Sequence, residues 1–345
     1  MAKGINPNIK KTTRKEYSVN EIVSGLISED RLMLSHAITL IESNHIDHRK
    51  KGEEVLNLIS DNVGNSIRLG ITGSPGAGKS TFIDTLGSSL IEDGHKVAVL
   101  AIDPSSNKTQ GSILGDKTRM YQLSTNPNAF IRPTATANIL GGVARGTKEA
   151  ISLCEAAGFD TILIESVGVG QSETTLSEMV DLFLLLLLPG GGDDVQGIKR
   201  GIVELADIMV INKNDGGREN LAEQSRKDFL NSVRLFHHPM EKWQVPVVKV
   251  SSLENEGFEK LKNHISKYIS LSKELGYFDS KRIEQDLRWA KSVLKASIKV
   301  KSEELFNAKL LEKELEDGTK DENFSLFRAL QDVLQQIEKR YRELQ

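Results

Sequence analysis

Residues 67–81 read IRLGITGSPGAGKST, which is an apolar run, a glycine-rich loop and then Lys79, Ser80 and Thr81. Within this stretch, residues 73–80 match the pattern G-x-x-x-x-G-K-S, and a helical pattern follows over residues 82–93. Glycine allows the backbone angles that point successive N–H groups at phosphate oxygens, and a helix N-terminus adds partial positive charge. The stretch therefore predicts a strand, a phosphate-binding loop (P-loop) and a helix, with Lys79 at the β- and γ-phosphates and Ser80 as a ligand of Mg²⁺.

Strand-like and helix-like segments alternate on both sides of this loop. Six apolar runs are predicted strands: residues 67–72, 97–102, 161–165, 182–188, 208–212 and 247–250. Amphipathic or charged stretches, such as 147–157, 198–206 and 218–236, separate most of them. The alternation predicts an α/β fold with a mostly parallel sheet covered by helices, in which ligands bind at the carboxyl ends of the strands.

The two ends of the chain have helical patterns without strands. We predict a helical N-terminal segment, residues 1–63, packed on a P-loop domain of residues 64–272. Residues 273–345 predict a helical C-terminal extension with one long helix opening at Arg282 and a second over residues 323–344. Both helices carry apolar stripes that few neighbouring helices can cover, which predicts a homodimer. An intrachain helical cap is the alternative.

Composition and charge argue against several classes of protein and of binding partner. The formal net charge is −3 over 345 residues, which gives no electrostatic argument for nucleic acid binding. Residues 1–15 are basic but lack the apolar stretch of a secretory signal, and no apolar run approaches the roughly 20 residues of a membrane span. The single cysteine, Cys154, excludes an intrachain disulfide and a Cys-based zinc site, and it is predicted to be a buried small hydrophobe. We expect a cytoplasmic protein that binds no membrane.

The identity of the base is indicated by Asn212-Lys213-Asn214-Asp215, an N-K-x-D pattern at the end of a predicted strand. The Asp215 carboxylate can accept hydrogen bonds from guanine N1–H and the exocyclic amine, and adenine offers neither donor there. We call residues 212–215 the base loop. Asn212 is expected to connect it to the P-loop, and the Lys213 stem is expected to lie along the purine. The predicted ligand is GTP or GDP, and the predicted contact residues are Gly73, Ser74, Pro75, Gly76, Ala77, Gly78, Lys79, Ser80, Thr81, Asn212, Lys213, Asp215, Ser251, Ser252 and Leu253.

Two acidic residues, Asp103 and Glu165, end predicted strands beside the P-loop. Acids in this position bind Mg²⁺ directly or through water, or orient the attacking water. For Glu165, metal ligation, water-mediated contact and general-base action remain open. Residues 107–120, 168–173 and 189–199 combine glycines with polar residues and are candidate switch loops. The third is also compatible with an ordinary strand-to-helix connection.

Taken in order, residues 73–81, 103–106, 111–120, 165–173, 196–199 and 212–215 closely resemble the MeaB/ArgK family of SIMIBI-class GTPases, the chaperones of methylmalonyl-CoA mutase. The resemblance implies a slow GTPase that dimerises through its C-terminal helices. It also implies that the protein binds an adenosylcobalamin-dependent acyl-CoA mutase, gates cofactor loading and protects the mutase. The implied catalytic residues are Lys79, Asp103, Asp116 and Glu165, and the implied metal ligands are Ser80, Asp103, Asp116 and Glu165.

Three other functions fit parts of the pattern. A transport-associated ATPase or kinase for basic amino acids would have no guanine preference, and Asp215 argues against it. A nickel or cobalt metallochaperone would need clustered Cys or His, and the one adjacent pair, His237-His238, is predicted to be a surface pair. A non-catalytic, nucleotide-dependent scaffold is the third alternative.

Overall fold

The computed structural model describes residues 16–43, 45–103, 120–135, 142–166, 172–190, 200–235 and 237–306, with single positions from 331 to 342. Seven strands of this part form one sheet in the order β3-β2-β4-β1-β5-β6-β7, and every pairing is parallel. The strands are β1 (Ile67–Gly73), β2 (Val97–Asp103), β3 (Ala129–Ala135), β4 (Thr161–Ser166), β5 (Leu182–Leu187), β6 (Ile208–Ile211) and β7 (Val247–Lys249). The predicted α/β fold is confirmed.

Strand β3 is missing from the sequence-based prediction. Arg132 and Pro133 interrupt its apolar residues, so the segment lacks the continuous run that marks the other strands. Proline cannot donate a backbone hydrogen bond and is therefore tolerated mainly on edge strands. Among the described strands, β3 pairs only with β2 and forms one edge of the sheet, which explains how Pro133 is accommodated.

Helices cover both faces of the sheet. They are α1 (Val19–Ile27), α2 (Arg31–Glu42), α3 (Ile46–Leu58), α4 (Lys79–Glu92), α5 (Tyr121–Thr125), α6 (Gly142–Ala156), α7 (Ser172–Ser177), α8 (Arg200–Glu204), α9 (Glu219–Val233), α10 (Phe258–Glu274) and α11 (Tyr277–Phe306). One core contains residues of α1–α3, α6 and α9, and the other contains residues of α4 and α10. The helical N-terminal segment is thus part of one face of the α/β structure.

Strand β5 shows how the chain specifies the sheet. Its sequence LFLLLL is buried at every position. Leu184 and Leu186 belong to one core, whereas Phe183, Leu185 and Leu187 belong to the other. A strand with helices on both of its faces needs apolar side chains in both directions, so the predicted two-sided burial is confirmed.

The C-terminal helix α11 begins at Tyr277, five residues before the predicted start at Arg282. It follows α10 directly because Gly276 adopts a positive φ of 68°, which turns the chain between the two helices. Gln285 anchors it through a hydrogen bond from Nε2 to the Val180 carbonyl (2.9 Å). Five apolar side chains of α11 are more than half exposed: Ile283, Leu287, Leu294, Ile298 and Leu305. Most of the predicted second helix lies outside the described residues.

One sequence-based expectation about the histidine pair is wrong. His237 is exposed, but the His238 ring is buried and its Nε2 lies 2.7 Å from Asp207 Oδ1. Tyr268 donates to the same carboxylate oxygen (2.9 Å), so His238 belongs to a buried polar cluster at the start of β6. Cys154 is buried, as predicted, and burial raises the pKa of its thiol. Among the described helices, none is both long enough and apolar enough to cross a bilayer.

Candidate functional site

The sequence motifs meet at the carboxyl edge of the sheet. β1 leads into the P-loop, β4 ends next to Glu165, β6 leads into Asn212 and β7 leads into Ser251. β1 lies between β4 and β5, and β6 follows β5, so four loops from neighbouring strands surround one site. This edge is where ligands bind in open parallel sheets.

The P-loop holds its shape through glycines and through Lys79. Gly78 has φ 85°, and a Cβ atom there would lie 2.8 Å from Asn212 Nδ2, so both conformation and space require glycine. Lys79 Nζ donates to the carbonyl oxygens of Gly73 (2.9 Å) and Ser74 (3.4 Å). The N-terminus of α4 receives no side-chain cap, so its backbone N–H groups are available to an anion.

Lys79 is a buried cation. Desolvation lowers its pKa, and the negative charges of Glu165 and Glu173 partly oppose that shift. A buried ammonium group is costly unless it meets compensating negative charge. Phosphate oxygens next to Lys79 would therefore stabilise its charged form.

The base loop positions one carboxylate, that of Asp215. Ser251 Oγ donates to its Oδ2 (2.5 Å), and Arg218 Nη2 donates to its Oδ1 (2.5 Å). The hydrogen bond from Ser251, supported by the hydrogen bond and charge of Arg218, holds the pKa of Asp215 below its usual range. The carboxylate is thus fixed in orientation and kept ionised, as an acceptor of two N–H donors requires.

Asn212 connects three loops. Its Nδ2 donates to the Ala77 carbonyl in the P-loop (2.9 Å), and its Oδ1 accepts from Ser252 Oγ (2.7 Å). Thr85 of α4 donates in turn to the Ser252 carbonyl (2.9 Å). Asn212 and Ser252 are both buried. The base loop, the P-loop and the loop after β7 therefore form one hydrogen-bonded unit.

Two further predicted nucleotide contacts, Lys213 and Leu253, lie next to this hydrogen-bonded unit. Lys213 has a left-handed backbone with φ 58°, and a Cβ atom on Gly78 would lie 3.7 Å from its Cε, so the lysine stem passes close to the P-loop. Leu253 is 73% exposed. Its side chain therefore lies outside the buried hydrogen-bonded unit, and only its backbone is suited to the predicted role.

Two carboxylates lie beside Lys79 at the phosphate end of the site. Ser80 Oγ donates to Glu165 Oε1 at 3.4 Å, and Glu165 is buried at the end of β4. Glu173, which the sequence analysis did not include among site residues, is only 3% exposed, and its charge acts on Lys79. Its Oε2 has no hydrogen-bond partner among the described residues. Hydroxyl and carboxylate oxygens are the ligand types that Mg²⁺ prefers, so the donor set fits that ion.

Part of the predicted site falls outside the described residues. Asp103 ends β2, so its backbone lies at the same edge, but its side chain is not described. Asp116 lies outside the described ranges, as do most of the three candidate switch loops. The described part of the site thus contains the phosphate and base loops with Glu165 and Glu173.

The sequence matches, over residues 34–305, the family described as methylmalonyl-CoA mutase-associated GTPase MeaB. It is 42% identical to GTPase ArgK of Escherichia coli over 274 residues, or 79% of this chain and 83% of that protein. The mouse (Mus musculus) methylmalonic aciduria type A homolog, mitochondrial, is 41% identical over 295 residues, which cover 83% of this chain and 71% of the mouse protein.

A solved structure has the same overall fold. The crystal structure of an LAO/AO transport system kinase superimposes with a TM-score of 0.73 at 31% identity, covering 95% of this chain and 100% of that one. The family match spans the P-loop, the N-K-x-D loop and all seven strands of the parallel sheet. The chain therefore belongs to the MeaB family and is a guanine-nucleotide-binding GTPase.

Proposed function

We propose that the site between the P-loop and the base loop hydrolyses Mg²⁺-bound GTP slowly and that the nucleotide state controls a client enzyme. The observation that carries the nucleotide part is the Asp215 carboxylate, held by Ser251 in the loop after β7 and joined to the P-loop through Asn212. These contacts link base recognition and phosphate binding in one rigid unit.

In this proposal Asp215 accepts from guanine N1–H and from the exocyclic amine. Ser251 and Arg218 already bind one oxygen each, and a carboxylate oxygen has room for a second donor. ATP would leave the carboxylate without partners, which explains selection against adenine. The Lys213 stem covers one face of the base, and the backbone of residues 251–253 lies near guanine O6.

The phosphates occupy the P-loop in this proposal. Backbone N–H groups of the P-loop residues other than Pro75 and of the start of α4 donate to the phosphates, and Lys79 reaches the β- and γ-phosphates. Ser80 and the acids Asp103, Asp116 and Glu165 would hold Mg²⁺, which supplies neutralisation of charge on the β- and γ-phosphates. Glu165, buried next to Ser80, either contributes to that site or orients the attacking water.

The client in this proposal is an adenosylcobalamin-dependent acyl-CoA mutase, with methylmalonyl-CoA mutase as the first candidate. Support comes from the description of the matching family and from the mouse relative named for methylmalonic aciduria. The protein would gate cofactor loading and protect the mutase from inactivation. The candidate switch loops would carry the nucleotide state to the mutase.

A homodimer is the proposed assembly. The exposed residues Ile283, Leu287, Leu294, Ile298 and Leu305 lie on one face of α11, because their spacings of 4 and 7 residues alternate. The pattern has a period of 11 residues, because exposed apolar residues recur at positions 283, 294 and 305. An 11-residue period is typical of helices that pack in a right-handed supercoil. A second copy would cover this face.

A capture experiment tests the client. Full-length protein loaded with GDP or with a non-hydrolysable GTP analogue is used to isolate partners from cells grown with and without cobalamin. We expect recovery of a cobalamin-dependent mutase whose yield depends on the nucleotide. A Ser80→Ala variant, which loses the proposed Mg²⁺ ligand, should lose the dependence on nucleotide. Recovery of no cobalamin enzyme in either state would contradict the client assignment.

A transport-associated kinase is the second candidate, because the structural relative bears that title. The two functions differ in nucleotide preference. Measuring the affinities of the same preparation for GTP and for ATP decides between the two functions. Comparable affinities would favour the kinase, whereas a preference for GTP of about 100-fold or more would favour the GTPase.

A further inference from the structure

The first turns of α11 contact the segment that leads from the nucleotide site to β5. This segment, residues 172–181, consists of α7 and the turn that follows it. It begins next to the nucleotide site, because its second residue is the buried Glu173, whose charge acts on Lys79. Its far end is contacted by three side chains of α11 that are spaced three residues apart on one side of the helix: Arg282, Gln285 and Arg288.

Gln285 makes the central contact with this segment. It is only 3% exposed, and its Nε2 donates to the Val180 carbonyl oxygen at 2.9 Å and, more weakly, to that of Ser177 at 3.4 Å. Ser177 is the last residue of α7, and the last carbonyl groups of a helix have no partner within that helix. Gln285 therefore holds the C-terminal end of α7 from outside.

Arg282 holds the same end of the segment through an ion pair. Its Nε and Nη2 donate to the two carboxylate oxygens of the buried Asp181, each at 2.7 Å. A two-bond contact of this kind fixes orientation as well as distance. Arg288 Nη1 lies 3.9 Å from Glu178 Oε1, and both side chains are about half exposed, so this pair adds little. The turn after α7 and the start of α11 thus form one rigid contact.

Close packing on β1 leaves the segment little freedom of its own. Leu176 and Val180 are fully buried. Both pack on Gly70 of β1, where a Cβ atom would lie 2.9 Å from Val180 Cγ2 and 3.1 Å from Leu176 Cγ. Tightly packed interiors transmit displacements instead of absorbing them. A shift at the base of α11 would therefore move α7 as well.

Glu173 lies in the first turn of α7, close to the end that Gln285 holds. Ser177 follows it by four residues, which is roughly one helical turn, or about 6 Å along the axis. Glu173 Oε2 has no hydrogen-bond partner among the described residues, so the carboxylate depends on α7 for its position. A displacement of about 1 Å at a reacting site can lower a rate about 100-fold. Small movements of α7 would therefore affect hydrolysis.

We propose that Gln285 is a positioning residue for GTP hydrolysis. It binds the end of α7 and thereby keeps Glu173 at the phosphate end of the nucleotide site. The base of the C-terminal helix is thus part of the structure that supports hydrolysis, although it touches no part of the nucleotide motifs. This inference rests on the proposed hydrolysis at this site and on the role predicted for Glu173.

The test is a double-mutant cycle that measures GTP hydrolysis by the full-length protein. Gln285→Met keeps the approximate length and volume of the side chain but removes the donor. We expect kcat to fall at least about fivefold, whereas the affinity for GTP should change less than about twofold. In a Glu173→Gln background, the same change should lower kcat less than about twofold further, because Gln285 acts through Glu173. A merely structural role would lower kcat by the same factor in both backgrounds.

A milder variant and a matched control complete the test. Gln285→Asn keeps the amide but is one methylene shorter, so it should lower kcat less than Gln285→Met, and it takes that variant's place in the cycle if the latter does not fold. Gln224→Met makes the same chemical change at an exposed position of α9 and should behave like the parent.

Three results would overturn the proposal: an unchanged kcat in Gln285→Met, equal losses with and without Glu173, or a Glu173→Gln variant with the kcat of the parent. Each of these leaves the hydrolysis by the parent intact. An absence of GTP hydrolysis in the parent would instead contradict the proposed function, and this proposal with it.

Discussion

Asn212 donates a hydrogen bond from Nδ2 to the Ala77 carbonyl oxygen at 2.9 Å, and this bond joins the loop that ends β6 to the P-loop. The two residues are 135 positions apart in the chain. The same side chain accepts from Ser252, so one buried amide fixes three loops relative to one another. The loop after β6, the P-loop and the loop after β7 are therefore held together at this position.

Replacing Asn212 with alanine should weaken both stability and nucleotide binding. The change leaves the Ala77 carbonyl and the Ser252 hydroxyl without partners in a buried site, which costs about 1–3 kcal/mol for each group. We expect a lower melting temperature and weaker binding of GTP and GDP alike, measured by thermal denaturation and calorimetry. The preference for guanine over adenine should persist, because Asp215 is intact. Asn231→Ala, which alters an exposed residue of α9, is the control and should change neither quantity.

Ser251→Ala should weaken GTP binding and make it sensitive to acid. The hydrogen bond from Ser251 is the main cause of the lowered pKa of Asp215. Without it, that pKa rises toward the ordinary value, so the carboxylate becomes protonated at a higher pH as the solution is acidified. We expect about a tenfold loss of GTP affinity near neutral pH, from a hydrogen bond to a charged group worth about 1.5–3 kcal/mol.

The affinity of the Ser251→Ala variant should also begin to fall at a higher pH than that of the parent. The folding stability that Asp215 contributes depends on pH in the same direction. Because its pKa is lower in the folded state, the ionised carboxylate stabilises the fold above its ordinary pKa, and this contribution is lost as the pH falls through the lowered pKa. Affinity measured against pH checks the prediction. Ser266→Ala, on the exposed face of α10, should show the parent profile. Identical profiles for parent and Ser251→Ala would show that Ser251 does not act on Asp215.

GTP binding should take up protons at alkaline pH. Burial lowers the pKa of Lys79 in the free protein, and phosphate oxygens beside it would raise that pKa again. Between the two values, binding converts a partly neutral amine into an ammonium group. Calorimetry in buffers of different ionisation enthalpy should detect net uptake at alkaline pH. A Lys79→Arg variant keeps the charge but does not titrate, so its proton uptake should disappear. An unchanged uptake in that variant would assign the proton to another group.

Glu173→Gln should slow hydrolysis more than it weakens binding. Glu173 is buried, its charge acts on Lys79, and its Oε2 has no partner among the described residues. A carboxylate in that position is suited to orient water or a water ligand of Mg²⁺. We expect kcat to fall at least about tenfold, whereas the affinity for GTP should change less than about threefold. A purely structural role would not lower kcat selectively in this way. Glu178→Gln, an exposed acid just after α7, is the control.

Much of the fold could be predicted because its signals are local. The apolar run of β5 is buried on both faces, which is the composition typical of a strand inside a parallel sheet. The strand, loop and helix around Lys79 likewise follow from adjacent residues. β3 could not be found in this way, because Arg132 and Pro133 interrupt its apolar residues. Pro133 is tolerated there because β3 lies at an edge of the sheet, and Arg132 forms an ion pair with Glu42.

The parts of the site that sequence missed depend on contacts between distant or irregular segments. Arg218 contacts Asp215 because the chain turns through two glycines with positive φ, and no pattern in the motif announces that contact. The sequence around His238 predicts a surface residue. Its ring is nevertheless buried, because Asp207 forms a hydrogen bond with it and the Tyr268 ring packs against it.

The most direct test of guanine recognition is the binding of GTP and xanthosine triphosphate to Asp215→Asn. Asparagine cannot accept two hydrogen bonds from the guanine edge, but its amide can donate to the xanthine oxygen that replaces the amine. We expect the variant to lose GTP affinity by about 100-fold and to gain xanthosine triphosphate binding, while Asp228→Asn on the exposed face of α9 behaves like the parent. Unchanged GTP affinity in Asp215→Asn would contradict the account of base recognition.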